Sequence, residues 1–145
     1  MLVTDAKGMP IGFKLCAANH SEHKLAQPTM EQINIRQKRG RPKSRPKALC
    51  ADRGYASNTF RSYLRARGIK PCIPDKRRPG HWRSKRGRPT TYDRERYKKR
   101  FIIERSFAWL GNYRRLLIRW EHIFSVYRAF FLLALIQLSL NRLLK

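Results

Sequence analysis

One acidic side chain stands out in residues 97–111. In a helix, at roughly 100° per residue, Tyr97, Arg100, Glu104, Ala108 and Gly111 would form one stripe about 60° wide. Glu104 is the acid of this stripe, and its chain neighbours are mostly apolar. A carboxylate in a helix that must pack is costly unless a cation pairs with it. Two interpretations stay open: a structural ion pair with Arg100, or a metal-binding or catalytic carboxylate.

A second acid, Asp52, follows a short apolar run at 47–51. The run predicts a central strand that delivers Asp52 at its carboxyl end, the edge of an α/β sheet where sites gather. Ser57 then begins a helix that lasts to about Arg67, and Gly68 closes it. A further strand is predicted at 69–74. The order strand, helix, strand implies at least one parallel pair and an α/β fold.

The elements on either side are predicted from turn and cap residues. Residues 2–4 and 9–18 read as a hairpin in which Asp5 forms the turn. A helix is plausible over 21–35, although Pro28 would break or restart it. Asp93 caps a helix that carries the Glu104 stripe and continues toward Arg115. A last apolar helix, from about 125 to 144, is too often interrupted by polar residues for a membrane span and is expected to be buried.

Composition points to a polyanionic partner. The chain has 145 residues, the size of one domain, and a formal net charge of +25. Nucleic acid explains such a charge better than a membrane surface, because the cations run through the whole sequence. Three widely spaced cysteines, Cys16, Cys50 and Cys72, predict reduced, buried thiols and no zinc site or disulfide. The N-terminus lacks the apolar run of a signal peptide.

Two basic loops, at 36–47 and 75–91, both contain Arg-Gly-Arg-Pro. An extended cationic tract of this kind resembles the AT-hook core that lies in narrow minor grooves, and a solvated basic loop is the alternative. Either form can hold a DNA backbone. The predicted DNA contacts are Arg39, Arg41, Lys43, Arg53, Lys76, Arg77, Arg78, Arg83, Lys85, Arg86, Arg88, Arg114 and Arg115.

Four segments together carry a family resemblance that covers nearly the whole chain. They are Leu-Cys-Ala-Asp-Arg-Gly-Tyr at 49–55, Ile-Lys-Pro-Cys-Ile-Pro at 69–74, Gly-Arg-Pro-Thr-Thr-Tyr-Asp at 87–93, and residues 97–115 with the pattern Tyr-x-x-Arg-x-x-x-Glu. In order and spacing they resemble the DDE transposases of bacterial insertion sequences, most closely the insertion-sequence-five type.

The resemblance implies a bacterial, cytoplasmic, nucleoid-associated enzyme with an RNase H-like fold, in which helices flank a mixed sheet. It implies Mg²⁺-dependent cleavage and joining of DNA at transposon ends, by a homo-oligomer in the synaptic complex. Asp52 would be the second acid of the triad and Glu104 the third, both as metal ligands. Tyr97 and Arg100 would orient Glu104 or contact the substrate strand. Two Mg²⁺ ions need such clustered carboxylates to activate the attacking group and stabilise the leaving oxygen.

The chain departs from the family pattern at two places. Gly111 stands where the family has Lys, so a phosphate contact is missing or comes from Arg114 or Arg115. The first acid of the triad lies on a first strand that precedes this chain, and Asp5 does not match it. We therefore expect a C-terminal part of a transposase, with an exposed sheet edge and little activity without its upstream part.

Two other classes stay open. One is a non-catalytic DNA-binding protein that uses the two Arg-Gly-Arg-Pro tracts, in which the carboxylates only balance charge. The other is an RNA-binding protein, which would prefer structured RNA.

Overall fold

The computed structural model describes residues 1–17, 19–75 and 92–144. Short strands and helices alternate over the first half of the chain, and helices make up the last third. The strands are β1 (Leu2–Thr4), β2 (Pro10–Phe13), β3 (Ala48–Cys50) and β4 (Lys70–Cys72). The helices are α1 (Glu22–Glu31), α2 (Asn58–Ala66), α3 (Arg94–Lys98), α4 (Phe101–Gly111), α5 (Arg114–Leu117) and α6 (Phe124–Leu143), with a 3-10 turn at Arg53–Tyr55. The chain is therefore a mixed α/β protein, as predicted.

The N-terminal hairpin is confirmed, although its second strand is shorter than expected. β1 and β2 pair antiparallel, with Val3 opposite Gly12. Asp5 forms the turn as predicted, since its Oδ1 accepts hydrogen bonds from the backbone N–H groups of Lys7 and Met9, both at 2.8 Å. A short carboxylate that bonds to nearby backbone N–H groups is what such a turn requires.

Gly8 lies where the hairpin turn packs against α4. Its φ is +83°, and an added Cβ would lie 3.1 Å from Ile102 Cγ2 and 3.2 Å from Ser106 Oγ. The Gly8 carbonyl accepts a hydrogen bond from the buried Ser106 hydroxyl at 3.1 Å. A side chain at this position would therefore have to displace its neighbours on α4.

Gly8→Ala is expected to lower the free energy of unfolding by about 1–3 kcal/mol, because both the positive φ and the crowding oppose the methyl group. Urea unfolding measures this loss. Gly40→Ala separates the two causes, since Gly40 also has a positive φ, +87°, but no atom of the described residues lies within 4 Å of an added Cβ. A loss at Gly8 no larger than that at Gly40 would contradict close packing of the turn on α4.

The predicted strand, helix, strand unit is also confirmed. β3 and β4 are parallel, with Cys50 opposite Cys72. Ser57 caps α2 by accepting from the Phe60 N–H at 3.1 Å, and Leu64 on its inner face is fully buried. The cap matters because the first N–H groups of a helix have no partner within it.

α1 runs through Pro28 without a break, so the predicted interruption is wrong. Proline removes one backbone N–H from the helix and normally bends or ends it. Here the Thr29 hydroxyl donates to the Leu25 carbonyl at 2.7 Å, and Leu25, Ala26 and Met30 are buried. Tertiary packing of this face outweighs the lost hydrogen bond.

The helix predicted from Asp93 toward Arg115 is divided into three. Asp93 does cap α3, accepting from the Arg96 N–H at 3.0 Å, and this hydrogen bond lowers the pKa of Asp93. Between α3 and α4 the backbone tightens, since Arg100 N–H donates to the carbonyl of Tyr97 three residues back. α4 then ends at Gly111, and α5 begins at Arg114. The Glu104 stripe therefore spans a helix junction.

Two hydrophobic clusters form the core. The first joins the hairpin and α1 to the β3, α2, β4 unit; its buried members are Val3, Ala26, Met30, Ile33, Phe60, Leu64, Ile69 and Ile73. The second joins the hairpin to the C-terminal helices; its buried members are Leu2, Leu110, Phe131, Ala134 and Leu135. Within the described residues the strands form two separate two-stranded sheets, one antiparallel and one parallel, and the expected single mixed sheet is not assembled.

α6 is less buried than predicted. Phe131, Ala134, Leu135 and Leu138 form one buried stripe, whereas other apolar residues such as Leu133 are exposed. A helix that packs on one side buries residues at i, i+3, i+4 and i+7, and this spacing fits that rule. The expectation that polar residues leave this segment short of a membrane span is wrong, because α6 has the length and composition of a span. Core helices of soluble proteins have them too.

The three cysteines are free thiols, as predicted, but their burial differs. Cys72 is buried, Cys50 is half-buried and Cys16 is exposed, so the prediction of burial is wrong for Cys16. Burial, followed by the neighbouring Cys72, raises the pKa of Cys50 to about 12. The Cys50 thiol therefore stays protonated at neutral pH.

Candidate active site

Asp52 lies just beyond the carboxyl end of β3, as predicted. The pairing of β3 with β4 continues to the Ala51 N–H, which donates to the Cys72 carbonyl. The Asp52 carbonyl then accepts from the Tyr55 N–H at 2.9 Å and begins the 3-10 turn. These bonds fix the backbone of Asp52, while 55% of its side chain is exposed to solvent. The carboxylate is therefore held in place and accessible.

Glu104 lies in the first turn of α4, where the helix dipole favours a negative charge. Ser106 and Leu110 on the same helix are buried and fix α4 against the hairpin and α6. The side chain of Glu104 is 60% exposed, so it is not the half-buried acid that the sequence suggested. It needs no partner to offset burial and is open to a ligand.

Arg100 brings these two acids together. Its Nη1 atom lies 3.0 Å from Asp52 Oδ1 and 3.0 Å from Glu104 Oε1. The two carboxylate oxygens are therefore separated by no more than twice that distance. Arg100 also lies over the ring of Tyr97, with its Cζ 5.7 Å from the ring centre. All four predicted site residues thus meet at one place, although Asp52 and Tyr97 are 45 positions apart in the chain.

The Arg100–Glu104 ion pair expected from the sequence is present, one helical turn apart. The second contact of Arg100, to Asp52, was not predicted. Helix periodicity indicates i,i+4 neighbours, but it contains no information about which strand end lies beside the helix. The contact shows that the two acids share one cation.

An open depression of about 490 Å³ lies beside Asp52. Its lining includes Tyr97, Tyr55 and Glu22. The Tyr55 hydroxyl donates to Glu22 Oε2 at 3.2 Å, and burial together with the Glu22 charge raises the pKa of Tyr55 to about 12. Glu22 is a site neighbour that sequence reasoning missed, because it lies at the start of α1, 30 residues before Asp52, with no motif around it.

The described residues contain no group of three or more His, Cys, Asp or Glu side chains that could hold a metal ion. Asp52 and Glu104 form a pair of acids, and Arg100 occupies the space between them. Two carboxylates around one cationic centre are a hard oxygen donor set, the type that Mg²⁺ prefers.

Residues 1–138 match the family described as the transposase DDE domain. The chain belongs to this family. It is also 36% identical over 143 residues to a protein of Burkholderia cepacia whose name gives it as a transposase for insertion sequence element IS402. The match covers 98% of this chain and 62% of that relative, so the chain spans about three fifths of the relative's length. No solved structure matches the chain.

The first basic loop of this DDE domain is exposed, as DNA contacts require. Arg39 and Arg41 lie at the tip of a bend that Gly40 forms with φ +87°. Lys43 closes the bend, since its backbone pairs with that of Ile35. The loop therefore contains an isolated bridge, where no regular structure was expected, and its Arg-Gly-Arg-Pro tract is bent and not extended as in an AT hook.

The other predicted DNA contacts of the DDE domain divide into two groups. Arg53 is exposed and lines the depression beside Asp52. Arg114 is exposed, whereas Arg115 pairs with Glu121 at 2.9 Å and lies over the ring of Phe130. The second group lies outside the described residues: Lys76, Arg77, Arg78, Arg83, Lys85, Arg86 and Arg88.

Proposed function

We propose that this chain is a catalytic part of a DNA transposase that cleaves and joins strands at insertion-sequence ends by metal-assisted phosphoryl transfer. One observation carries the proposal: Asp52 and Glu104, from a strand end and a distant helix, converge on one nitrogen of Arg100. Membership of the DDE family and the transposase named among its relatives support the same reaction.

Asp52 and Glu104 would hold Mg²⁺. Both side chains are more than half exposed, so the ion can reach them, and each places one oxygen 3.0 Å from the same Arg100 nitrogen. Mg²⁺ held there would supply Lewis-acid activation of the attacking water or 3′-hydroxyl and charge stabilisation at the leaving oxygen. Two ions are expected in the complete enzyme, with a third carboxylate supplied from outside this chain. Without that acid, we expect the isolated chain to be a poor catalyst.

The first acid of the triad is expected on a strand that completes an RNase H-like sheet and that a further segment of the transposase supplies. Within the described residues, β1 and β3 each pair with one strand, so each leaves one edge for another strand. Short strands with open edges are marginally stable and prone to pair with other chains. We propose that the upstream portion of the transposase adds the strand that carries the first acid and joins the two small sheets.

DNA is the proposed partner, in the bacterial cytoplasm, with a homo-oligomer of the transposase at the paired ends. The net charge of +25 provides the electrostatic attraction. We propose that Arg53, which lines the depression beside Asp52, contacts a phosphate near the reacting bond, and that the exposed Arg39 and Arg41 contact the DNA backbone. No membrane partner is proposed, because the buried stripe of α6 belongs to the protein core.

Replacing both Arg39 and Arg41 with Ala is expected to weaken DNA binding and to reduce the slope of log K against log salt by about 2. Each phosphate contact that is lost lowers the number of counterions released on binding to duplex DNA by roughly 0.9. Fluorescence anisotropy on a labelled duplex at several salt concentrations measures the slope. The control replaces both residues with Lys, which keeps the charge and should leave the slope unchanged. An unchanged slope in the Ala variant would show that this bend does not contact phosphate.

Cleavage of the element's own ends tests the proposed function. The assay uses the complete transposase, with this chain joined to its upstream portion, and a labelled duplex carrying one transposon end. We expect strand cleavage with Mg²⁺ and none with EDTA. DNA binding without cleavage under either condition would instead support the non-catalytic basic binding protein.

A further inference from the structure

The position of Arg100 has a consequence for how a metal ion would enter. Its Nη1 lies at hydrogen-bonding distance, 3.0 Å, from one oxygen of each carboxylate. Mg²⁺ needs ligand oxygens at about 2.0–2.1 Å. One guanidinium nitrogen and one Mg²⁺ ion cannot occupy the space between the same two oxygens. Arg100 therefore competes with a metal ion that binds through these two oxygens.

The surroundings of the Arg100 side chain allow it to move away from the two carboxylates. The Arg100 backbone is the N-cap of α4, and its side chain makes no capping hydrogen bond that would hold it there. Its guanidinium already lies over the Tyr97 ring, where a cation is attracted to the aromatic face without any carboxylate contact. About a third of the side chain is exposed, so water can reach it as it moves. The ring contact can therefore keep holding the guanidinium after the carboxylates release it.

We propose that Arg100 is a placeholder cation that neutralises Asp52 and Glu104 in the metal-free domain and competes with the divalent ion for them. This inference rests on the proposed function, since it takes the two acids to be metal ligands. Metal binding then requires displacement of Arg100 from the carboxylates. The displaced guanidinium, with five N–H donors, becomes available to a DNA phosphate. Arg100 is in this account a positioning residue whose removal strengthens metal binding.

The test measures Mn²⁺ binding to this chain by the electron paramagnetic resonance signal of free Mn²⁺, with no DNA and no catalysis. We expect Arg100→Ala to lower the Kd for Mn²⁺ about tenfold, because two partly exposed ion pairs no longer oppose the metal ion. Arg100→Lys, which keeps the charge, should remain within about threefold of the unchanged chain. Higher salt should reduce the difference between the variants, since it screens exposed charges.

Arg96→Ala is the matched control. It also removes one arginine from a partly exposed ion pair, that with Asp93 at 2.9 Å, and should leave the Kd for Mn²⁺ unchanged. An equal or higher Kd in Arg100→Ala would overturn the inference, because Arg100 would then support the metal ligands and not compete with the ion. Absence of Mn²⁺ binding in every variant, Arg100→Ala included, would overturn the proposed metal site itself. We expect stronger Mn²⁺ binding in Arg100→Ala. Adding Asp52→Asn to this variant should abolish the binding.

Discussion

Asp52→Asn and Glu104→Gln are each expected to lower the rate of Mg²⁺-dependent strand cleavage by the complete transposase roughly a thousandfold. This corresponds to about 4 kcal/mol of transition-state stabilisation. The amide oxygen that replaces a carboxylate has no full negative charge, so it binds a hard divalent cation much more weakly. Both variants should keep their affinity for DNA, because the basic side chains are unchanged. The measurement is single-turnover cleavage of a labelled transposon end at saturating protein.

Glu95→Gln is the matched control for these variants. Glu95 is an exposed acid on α3 that pairs with Lys98 at 2.7 Å, outside the Arg100 cluster. Its neutralisation changes the net charge by the same amount as the two site variants. We expect its cleavage rate to stay within about twofold of the unchanged enzyme. If Asp52→Asn and Glu104→Gln cleave DNA as fast as Glu95→Gln does, neither acid takes part in the reaction.

Leu64→Ala is expected to lower the free energy of unfolding by about 2–5 kcal/mol, the largest loss of stability among these substitutions. Leu64 is fully buried on the inner face of α2 and belongs to the first core cluster. Truncation removes buried methyl groups and leaves a cavity that close-packed neighbours cannot fill. Since α2 connects β3 to β4, the unit that carries Asp52 should unfold at lower urea concentration. Urea unfolding followed by circular dichroism measures the loss.

Leu117→Ala is the comparison, because the same atoms are removed from a side chain that is 71% exposed. Its effect should be within about 0.5 kcal/mol. Equal losses for the two variants would contradict the position of Leu64 in the core.

Features that depend on near neighbours in the chain were predictable from the sequence. The Asp5 turn, the Ser57 cap and the close of α2 at Gly68 each need only a few consecutive residues, because their hydrogen bonds are local. The parallel pairing of β3 and β4 followed from the order of the elements. Asp52 could be placed at a strand end for the same reason.

Features that depend on distant packing were not predictable. Pro28 stays within α1 because buried neighbours hold the helix, and nothing near Pro28 in the sequence indicates that burial. α6 is apolar on most sides, so its composition predicted full burial, whereas the described residues cover one stripe. The Arg100 contact to Asp52 and the Glu22 contact to Tyr55 join residues 48 and 33 positions apart. No periodicity encodes such contacts.

In the proposed mechanism, Asp52 and Glu104 bind one divalent ion in the place that Arg100 occupies in the metal-free chain. Anomalous X-ray scattering from crystals of this chain soaked in Mn²⁺ tests it most directly. We expect a Mn²⁺ peak bonded to oxygens of both Asp52 and Glu104, with the Arg100 guanidinium moved away from them. Mn²⁺ peaks only at other sites, with Arg100 still in contact with both carboxylates, would rule out this metal site.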